Sequence, residues 1–216
     1  MVWGPAKFLA FLAMTGACAA ARAWIVEDSI KAPVTILDGR GGRVERQIHV
    51  ALFHENAAPE PYPVAVLNHG RSGYAAERAA LRTGPYAPAA RWLAGFGFMV
   101  AVPVRVGYGE TGGEDVEDSG PCNRKHYRPG FEAAAAQTLA VLEELRRRDD
   151  IAKDRAIVVG QSYGGTTAIT VAAHPPSGLQ GAINFAGGGG GGPKSHPQHP
   201  CSLRASSAPQ GCSRRL

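Results

Sequence analysis

The residues whose types and spacing could do chemistry lie at 160–164, where the sequence reads Gly-Gln-Ser-Tyr-Gly. This segment, called the serine turn below, directly follows the apolar run 157–159 and is directly followed by a helical pattern. A serine on a sharp strand-to-helix turn presents its hydroxyl as a nucleophile, and glycines two residues away let neighbouring backbone pass closely. The alternative, an ordinary tight turn in a glycine-rich chain, is disfavoured by the strand before and the helix after. The motif predicts Ser162 as the nucleophile of an acyl-transfer reaction.

Two backbone N–H groups are candidates for stabilising the negative charge that develops on the substrate oxygen. Tyr163 begins the helix after the serine, so its N–H faces the reacting group. A second apolar run, 64–67, leads into Asn-His-Gly-Arg at 68–71, called the oxyanion loop below. The loop after such a strand supplies the second donor, and Arg71 is the predicted residue. The glycine-rich segment 105–113 is predicted to be a mobile loop beside these groups.

A sheet with parallel strands is needed to bring the two segments together. Four apolar runs are predicted as its buried strands, since strands covered by helices on both faces are apolar throughout. These runs are 64–67, 98–102, 156–159 and 182–185, and the alternating stretch 44–53 is predicted as a half-buried strand. Helical patterns cover 86–94, 131–148 and 163–173. Strands alternating with helices in this way predict an α/β fold with a doubly wound, mostly parallel sheet.

Over about residues 34–186, the order of these elements resembles the α/β-hydrolase fold. The resemblance runs from the strand and His-Gly loop at 64–71 to the Gly-Gln-Ser-Tyr-Gly-Gly turn and the last strand. The sequence looks most similar to secreted dienelactone-hydrolase-like hydrolases, with prolyl-oligopeptidase-type catalytic domains as relatives. The resemblance implies a serine hydrolase that needs no cofactor or metal and cleaves small-molecule esters or lactones through an acyl-enzyme. Dienelactone hydrolases themselves have a cysteine nucleophile, whereas this chain has Ser162, so dienelactone specificity is not expected.

In that family the nucleophile is followed along the chain by an acid and then by a histidine. The last carboxylate of this sequence is Asp154, which precedes the serine. His174 stands just before two prolines at the end of a predicted helix, and His196 and His199 lie in glycine- and proline-rich sequence. His69 precedes the serine, and a structural histidine that holds the oxyanion loop is the favoured interpretation over a general base. We therefore expect the catalytic acid and base to be missing from this chain.

The sequence changes character after Ala186. Six glycines lead into a segment that is rich in proline, serine and arginine and has no acidic residue. This composition cannot bury enough apolar surface to offset the entropy of ordering, so 187–216 is predicted to be disordered or translated out of frame. The family's sheet continues beyond this point. The sheet is therefore predicted to be incomplete at the C-terminal end and the chain to be a truncated or frameshifted hydrolase, with a genuine short form as the alternative.

The N-terminal residues 1–23 have the pattern of a secretory signal peptide. An apolar stretch, 8–21, follows Lys7, and the sequence Ala-Arg-Ala then provides a cleavage site after Ala23. An uncleaved anchor, or a lipoprotein modified at Cys18, fits the pattern less well. The sequence predicts export to the periplasm or the exterior, with no stable membrane span after cleavage.

Export gives the cysteines an oxidising environment, in which a bridge is favoured over free thiols. Cys122 lies in a polar loop before the long helix, and Cys201 follows the last strand on the same side of the predicted sheet. These two are the predicted disulfide partners, with Cys212 as a competitor.

Composition and charge exclude several classes of protein. Hydrophobic residues make up 44% of the 216 and charged residues 19%, which excludes a disordered acidic chain, and no apolar run after the leader is long enough for a multi-span membrane protein. The net charge of +5 suggests nucleic-acid binding, but residues 1–23 carry +2 and 187–216 carry +4, which leaves −1 for 24–186. A nearly neutral central region argues against a nucleic-acid partner.

The sequence thus predicts one hydrolase domain, 24–186, between a signal peptide and a tail. Two alternatives stay open. A non-catalytic remnant or ligand-binding module would keep the cleft and perform no turnover. A prolyl-oligopeptidase-like peptidase would cleave amides, although 216 residues leave no room for a propeller domain.

Overall fold

The structure, a computed structural model, describes residues 23–188, which form one mixed sheet with helices on both sides. The strands are β1 (Ile25–Leu37), β2 (Arg43–Glu55), β3 (Tyr62–Asn68), β4 (Met99–Val104), β5 (Ile151–Gln161) and β6 (Leu179–Phe185). The α-helices are α1 (Ala75–Ala80), α2 (Ala87–Ala94), α3 (Arg128–Leu145) and α4 (Tyr163–Ala173). Two short 3-10 helices are Gly84–Tyr86 and Cys122–Arg124.

Several sequence predictions concern residues outside this range. The signal peptide lies almost wholly in 1–22, and the tail, with His196, His199 and Cys201, lies in 189–216. These predictions, including the bridge from Cys122, therefore stay predictions. Within residues 23–188, no helix combines the length and the apolar composition that crossing a membrane requires.

The strands are arranged in the order β1-β2-β4-β3-β5-β6. Strand β2 runs antiparallel to both of its neighbours, β1 and β4. Strands β4, β3, β5 and β6 pair in parallel. Parallel neighbours need crossover connections, and α2, α3 and α4 provide them. The predicted mostly parallel sheet is confirmed.

Two apolar clusters cover the two faces of the sheet, and β3 contributes to both. Val66 packs in the cluster that contains Leu142 of α3, whereas its neighbour Ala65 packs in the cluster that contains Leu93 of α2. Successive side chains of a strand point to opposite faces, so a strand between two helical layers must be apolar at every position. The predicted doubly wound arrangement is confirmed.

Strand β1 is an element that the sequence prediction omits. Only Ala32, Val34 and Ile36 of this strand are buried, and its first half is largely exposed and polar. The hairpin to β2 is fixed by Asp38, whose Oδ1 accepts hydrogen bonds from the N–H groups of Arg40 at 2.8 Å and Gly42 at 2.7 Å. The buried alternation is therefore confined to the second half of the strand, and the polar run Glu-Asp-Ser at 27–29 interrupts the apolar pattern in its first half.

The helix predictions are close, with boundary differences that have local causes. Helix α4 has the predicted bounds, whereas α3 begins at Arg128 and ends at Leu145, about one turn earlier than predicted. Pro129 lies in the first turn of α3, where its missing N–H is not needed. None of the residues of α1 is buried, so this helix has no apolar stripe that a sequence pattern could indicate.

Strand β6 forms one edge of the sheet within residues 23–188, where it pairs with β5 alone. Its side chains Ile183 and Phe185 are 41% and 57% exposed. An edge strand presents unpaired backbone N–H and C=O groups along its open side. The described sheet therefore ends in an apolar, uncovered strand, as an incomplete sheet would.

We expect Leu142→Ala in α3 to lower the free energy of unfolding by about 2–5 kcal/mol, because the side chain is 1% exposed and its removal leaves a cavity. Urea unfolding followed by circular dichroism measures this loss. Leu37→Ala, at a leucine that is 63% exposed, is the matched control and should change stability by no more than about 0.5 kcal/mol. Equal losses in the two variants would contradict the assignment of the core.

Candidate active site

Ser162 lies between β5 and α4 in a backbone conformation that side chains rarely adopt. Its φ is 55° and its ψ is −123°. Its N–H donates to the carbonyl oxygen of Phe185 at 2.8 Å, and its own carbonyl accepts from the N–H groups of Gly165 at 2.9 Å and Thr166 at 3.2 Å. A non-glycine residue at positive φ costs about 1–3 kcal/mol, so the surrounding structure must hold it. Backbone strain at a strand-to-helix turn is typical of a nucleophilic serine.

The glycines of the serine turn are required by close backbone packing. A Cβ atom at Gly160 would overlap the carbonyl of Gly164, and one at Gly164 would overlap the carbonyl of Asn68. A Cβ atom at Gly165 would overlap the side-chain oxygen of Asn184 in β6. These contacts place the serine turn directly against the end of β3 and against β6.

The oxyanion loop lies beside the serine turn. A Cβ atom at Gly70 would lie 3.5 Å from Cβ of Ser162 and 3.1 Å from Oε1 of Gln161. The start of the loop is held by Asn68, whose buried Oδ1 accepts from the hydroxyl of Thr138 at 2.7 Å. The fold thus brings together the two segments that the sequence singles out.

The ring of His69 is buried and both of its nitrogens have partners. Nδ1 lies 2.7 Å from the carbonyl oxygen of Gly70, and Nε2 accepts from the backbone N–H of Arg105 at 3.2 Å. These partners assign the proton to Nδ1. Burial, together with the neighbouring Arg105 charge, holds the pKa of His69 well below its usual value. The arrangement supports a structural histidine that fixes the oxyanion loop and leaves no ring nitrogen free to act as a base.

Arg71 combines a free backbone amide with a tightly held side chain. Among residues 23–188, no acceptor binds its N–H. Its guanidinium binds the carboxylate of Asp115 through two hydrogen bonds of 2.7 Å. Partial burial would raise the pKa of Asp115, but the bonds and charge of Arg71, with the charge of Arg78, hold that pKa below its usual value. Asp115 is therefore ionised at neutral pH, and the ion pair fixes the residue that carries the free amide.

Behind the oxyanion loop lies a group of charged and polar residues that the sequence analysis does not identify. The side chains of Arg105 and Glu117 are fully buried, with Nε and Oε1 2.5 Å apart. The hydroxyl of Tyr108 donates to Oε2 of Glu117 at 2.6 Å. We call these residues, with Arg71 and Asp115, the polar cluster. Nothing local in the sequence separates a buried Arg–Glu pair from a solvated one, so no sequence signal could have found it.

The segment 105–113 is anchored rather than mobile. Arg105, Val106 and Tyr108 are buried, and the N–H of Gly107 donates to the carbonyl of Gly112 at 2.7 Å. Its glycines allow tight turns, and a high glycine content alone suggests a mobile loop. The segment is instead held in place because Arg105 and Tyr108, which belong to the polar cluster, are buried.

Tyr163 joins the serine turn to the polar cluster. Its ring centroid lies 5.8 Å from the guanidinium carbon of Arg71, 5.9 Å from that of Arg105, and 4.9 Å from the ring of Phe131. Burial and the charge of Glu117 raise the pKa of its phenol, so the ring stays neutral. As the first residue of α4, it has a backbone N–H without an acceptor in the described part of the chain.

Among the described residues, no acid or base is hydrogen-bonded to the Ser162 side chain. Within residues 23–188 the serine hydroxyl has no side-chain hydrogen-bond partner. His174 is exposed at the far end of α4, about 18 Å along the helix axis, and Asp154 is exposed at the opposite end of β5. The same part of the chain contains no group of three or more His, Cys, Asp or Glu side chains that could hold a metal ion.

Comparison with known proteins gives a family match and distant structural similarities. A family model described as serine aminopeptidase, S33, matches residues 59–207. The solved structure of a protein called m3DLH is similar with a TM-score of 0.51 and 22% identity, over 76% of this chain and 60% of that one. A putative dienelactone hydrolase from Klebsiella pneumoniae subsp. pneumoniae MGH 78578 gives a TM-score of 0.44 and 18% identity, over 74% of this chain and 60% of that one. No curated protein matches.

A prolyl endopeptidase structure gives a TM-score of 0.49 and 17% identity, over 76% of this chain and 21% of that one. The chain spans about 60% of the length of the first two of these solved structures. At 22% identity, the similarity to m3DLH shows the fold and carries no information on substrate.

We expect Gly164→Ala to push the serine turn away from the oxyanion loop, because its Cβ would overlap the carbonyl of Asn68. The variant should lose about 1–3 kcal/mol of unfolding free energy, as overpacked sites do. Gly181→Ala in β6 is the matched control, since nothing lies within 4 Å of its Cβ position. Urea unfolding of both variants measures the difference. Wild-type stability in Gly164→Ala would contradict the contact between the two segments.

Proposed function

The chain belongs to the serine aminopeptidase, S33, family and has the α/β-hydrolase fold, and from that premise we propose that it is a serine hydrolase that acts through an acyl-enzyme on Ser162. The observation that carries the proposal is the strained backbone of Ser162 between β5 and α4. In the first step the Ser162 oxygen adds to the substrate carbonyl carbon and its proton passes to a water molecule, since no side chain among residues 23–188 supplies a base to it. The bond to the leaving alcohol then breaks, and that proton goes to the alcohol oxygen. Water cleaves the resulting ester of Ser162.

We propose the backbone N–H groups of Tyr163 and Arg71 as the donors that stabilise the oxyanion. Both amides lack an acceptor within residues 23–188, and the oxyanion loop packs against the serine turn. Donors that are already oriented and unoccupied stabilise the developing charge without reorganisation. The removal of one such donor typically costs about 10²–10³ in kcat.

The proposed substrate is a small-molecule ester or lactone, and no cofactor is required. The resemblance of the serine turn and the oxyanion loop to those of dienelactone-hydrolase-like serine hydrolases supports this substrate class. A second candidate is cleavage of amides at a peptide N-terminus, which the family's description as serine aminopeptidase favours. An aryl ester and an aminoacyl anilide that share the same acyl group distinguish the two activities.

We expect the 216-residue chain to hydrolyse p-nitrophenyl acetate slowly, because no described side chain supplies a base to Ser162. The rate should be about 10³–10⁴ times the uncatalysed rate. Labelling by a fluorophosphonate should be slow for the same reason. Ser162→Ala should abolish the labelling and leave most of the slow hydrolysis, because the oxyanion donors and substrate binding supply that residual rate without the serine. Ser177→Ala, at an exposed serine before β6, is the matched control and should change neither.

Three other outcomes are informative. Ordinary enzyme rates that depend on Ser162 would contradict the absence of a base, and His69, His196 and His199 would then be replaced one at a time. Fluorophosphonate labelling that survives Ser162→Ala would refute the assignment of the nucleophile. A folded chain with neither turnover nor labelling would favour a non-catalytic binding module.

We also infer export of the protein, since residues 1–23 have the pattern of a signal peptide. Intact mass spectrometry of protein from an exporting host should give a chain that begins at Trp24. Replacing Ala23 by lysine should block cleavage and leave the longer mass, because such sites need small residues. Wild-type protein that keeps Met1 in the cytosol would contradict the inference.

A further inference from the structure

We propose that Tyr86 and Arg105 are positioning residues that hold the peptide group between His69 and Gly70, and thereby orient the Arg71 amide toward Ser162. The proposal rests on the proposed function, because it assigns a task within the oxyanion hole. Neither side chain is expected to touch the substrate. Each acts on backbone that would otherwise be free to rotate.

The peptide group between His69 and Gly70 is bound at both ends. Its carbonyl accepts a hydrogen bond from Nη1 of Arg105 at 2.9 Å. Its N–H donates to the hydroxyl of Tyr86 at 3.0 Å. A rotation of this peptide plane would break both bonds, so the two side chains together define its orientation.

Gly70 explains why such support is needed. The oxyanion loop approaches the serine turn closely at Gly70, where a Cβ atom would lie 3.5 Å from that of Ser162 and only 3.1 Å from Oε1 of Gln161. Glycine, however, has the largest backbone freedom of any residue. A loop that must be close and also rigid therefore needs hydrogen bonds from outside the loop.

Both holding side chains are themselves fixed. Arg105 is fully buried and bound to Glu117, and its own backbone N–H donates to the ring of His69. Tyr86 ends a 3-10 helix, donates its N–H to the carbonyl of Thr83 at 2.9 Å, and packs against the apolar cluster under α2. The bonds are therefore made by groups that cannot follow the loop if it moves.

The other side of the Arg71 amide is held by the Arg71–Asp115 ion pair. The peptide group that carries the free N–H thus lies between a peptide bound at both ends and a side chain bound through two hydrogen bonds. Effective catalysis by an oxyanion donor depends on such preorganisation. A donor misplaced by about 1 Å can lower the reaction rate by about 10²-fold.

The test is Tyr86→Phe, which removes one hydroxyl and keeps the packing of the ring. Hydrolysis of p-nitrophenyl acetate should show kcat lower by about tenfold with KM unchanged, because the interaction acts in the transition state only. Tyr62→Phe is the matched control, since Tyr62 lies at the opposite end of β3 from the oxyanion loop, and should leave both constants unchanged. Arg105→Lys keeps the charge, loses the fork that binds both Glu117 and His69, and should act in the same direction as Tyr86→Phe.

Amide hydrogen exchange of residues 69–72 is a second readout that does not need turnover. We expect exchange to become about tenfold faster in Tyr86→Phe and unchanged in Tyr62→Phe. A fall in kcat with unchanged exchange would mean that the phenol acts on the substrate directly and would overturn the positioning role, as would faster exchange with wild-type kcat. If the wild-type chain neither turns over nor is labelled, the proposed function fails, and exchange alone then supports or overturns the holding of the loop.

Discussion

The chain around Ser162 packs so closely against β3 and β6 that only glycine fits at the points of contact, and this packing determines the rest of the site. The serine turn packs against the carbonyl of Asn68 at the end of β3 and against Asn184 of β6, with glycine at each point of contact. The positive φ of Ser162 follows from the sharp change of direction between β5 and α4. A cost of about 1–3 kcal/mol for that conformation must be offset by the packing of three neighbouring elements. The strained conformation thus depends on β3, β5 and β6 all being in place around the serine turn.

The polar cluster lies on the interior side of the oxyanion loop and supports the contact between this loop and the serine turn. A buried Arg–Glu pair contributes little net stability by itself, since desolvation of the two charges opposes their attraction. Breaking one partner is far more costly, because it leaves an uncompensated charge in the interior. The cluster therefore behaves as an all-or-none framework, in which Arg105 and Glu117 together define where the oxyanion loop and Tyr163 lie. Specific geometry, rather than added stability, is what the fold gains from it.

The parts of the structure that are encoded locally could be predicted from the sequence, and the long-range parts could not. Helix α4 and strands β3 to β6 have apolar runs and glycine signals of their own, and the contact between Gly70 and Ser162 follows from their order along the chain. Strand β1 and helix α1 bury little, so their sequences carry weak signals. The pair Arg105–Glu117 depends on the path of a long loop, which residue types do not specify. Within residues 23–188, no acidic or basic side chain is hydrogen-bonded to the Ser162 hydroxyl, so neither the catalytic acid nor the base is assigned there.

The hydrogen bond from the N–H of Ser162 to the carbonyl of Phe185 imposes an order on how the site is made. Synthesis proceeds from the N-terminus, so the serine leaves the ribosome before the strand that holds it. Until Phe185 has emerged and β6 has paired with β5, the turn lacks one of its backbone partners, and its strained conformation is not favoured. The strained conformation of Ser162 therefore forms late, after the apolar strands before it have had time to collapse. A nascent chain would in this way carry an inert serine at least until the 23 residues from 163 to 185 have been added.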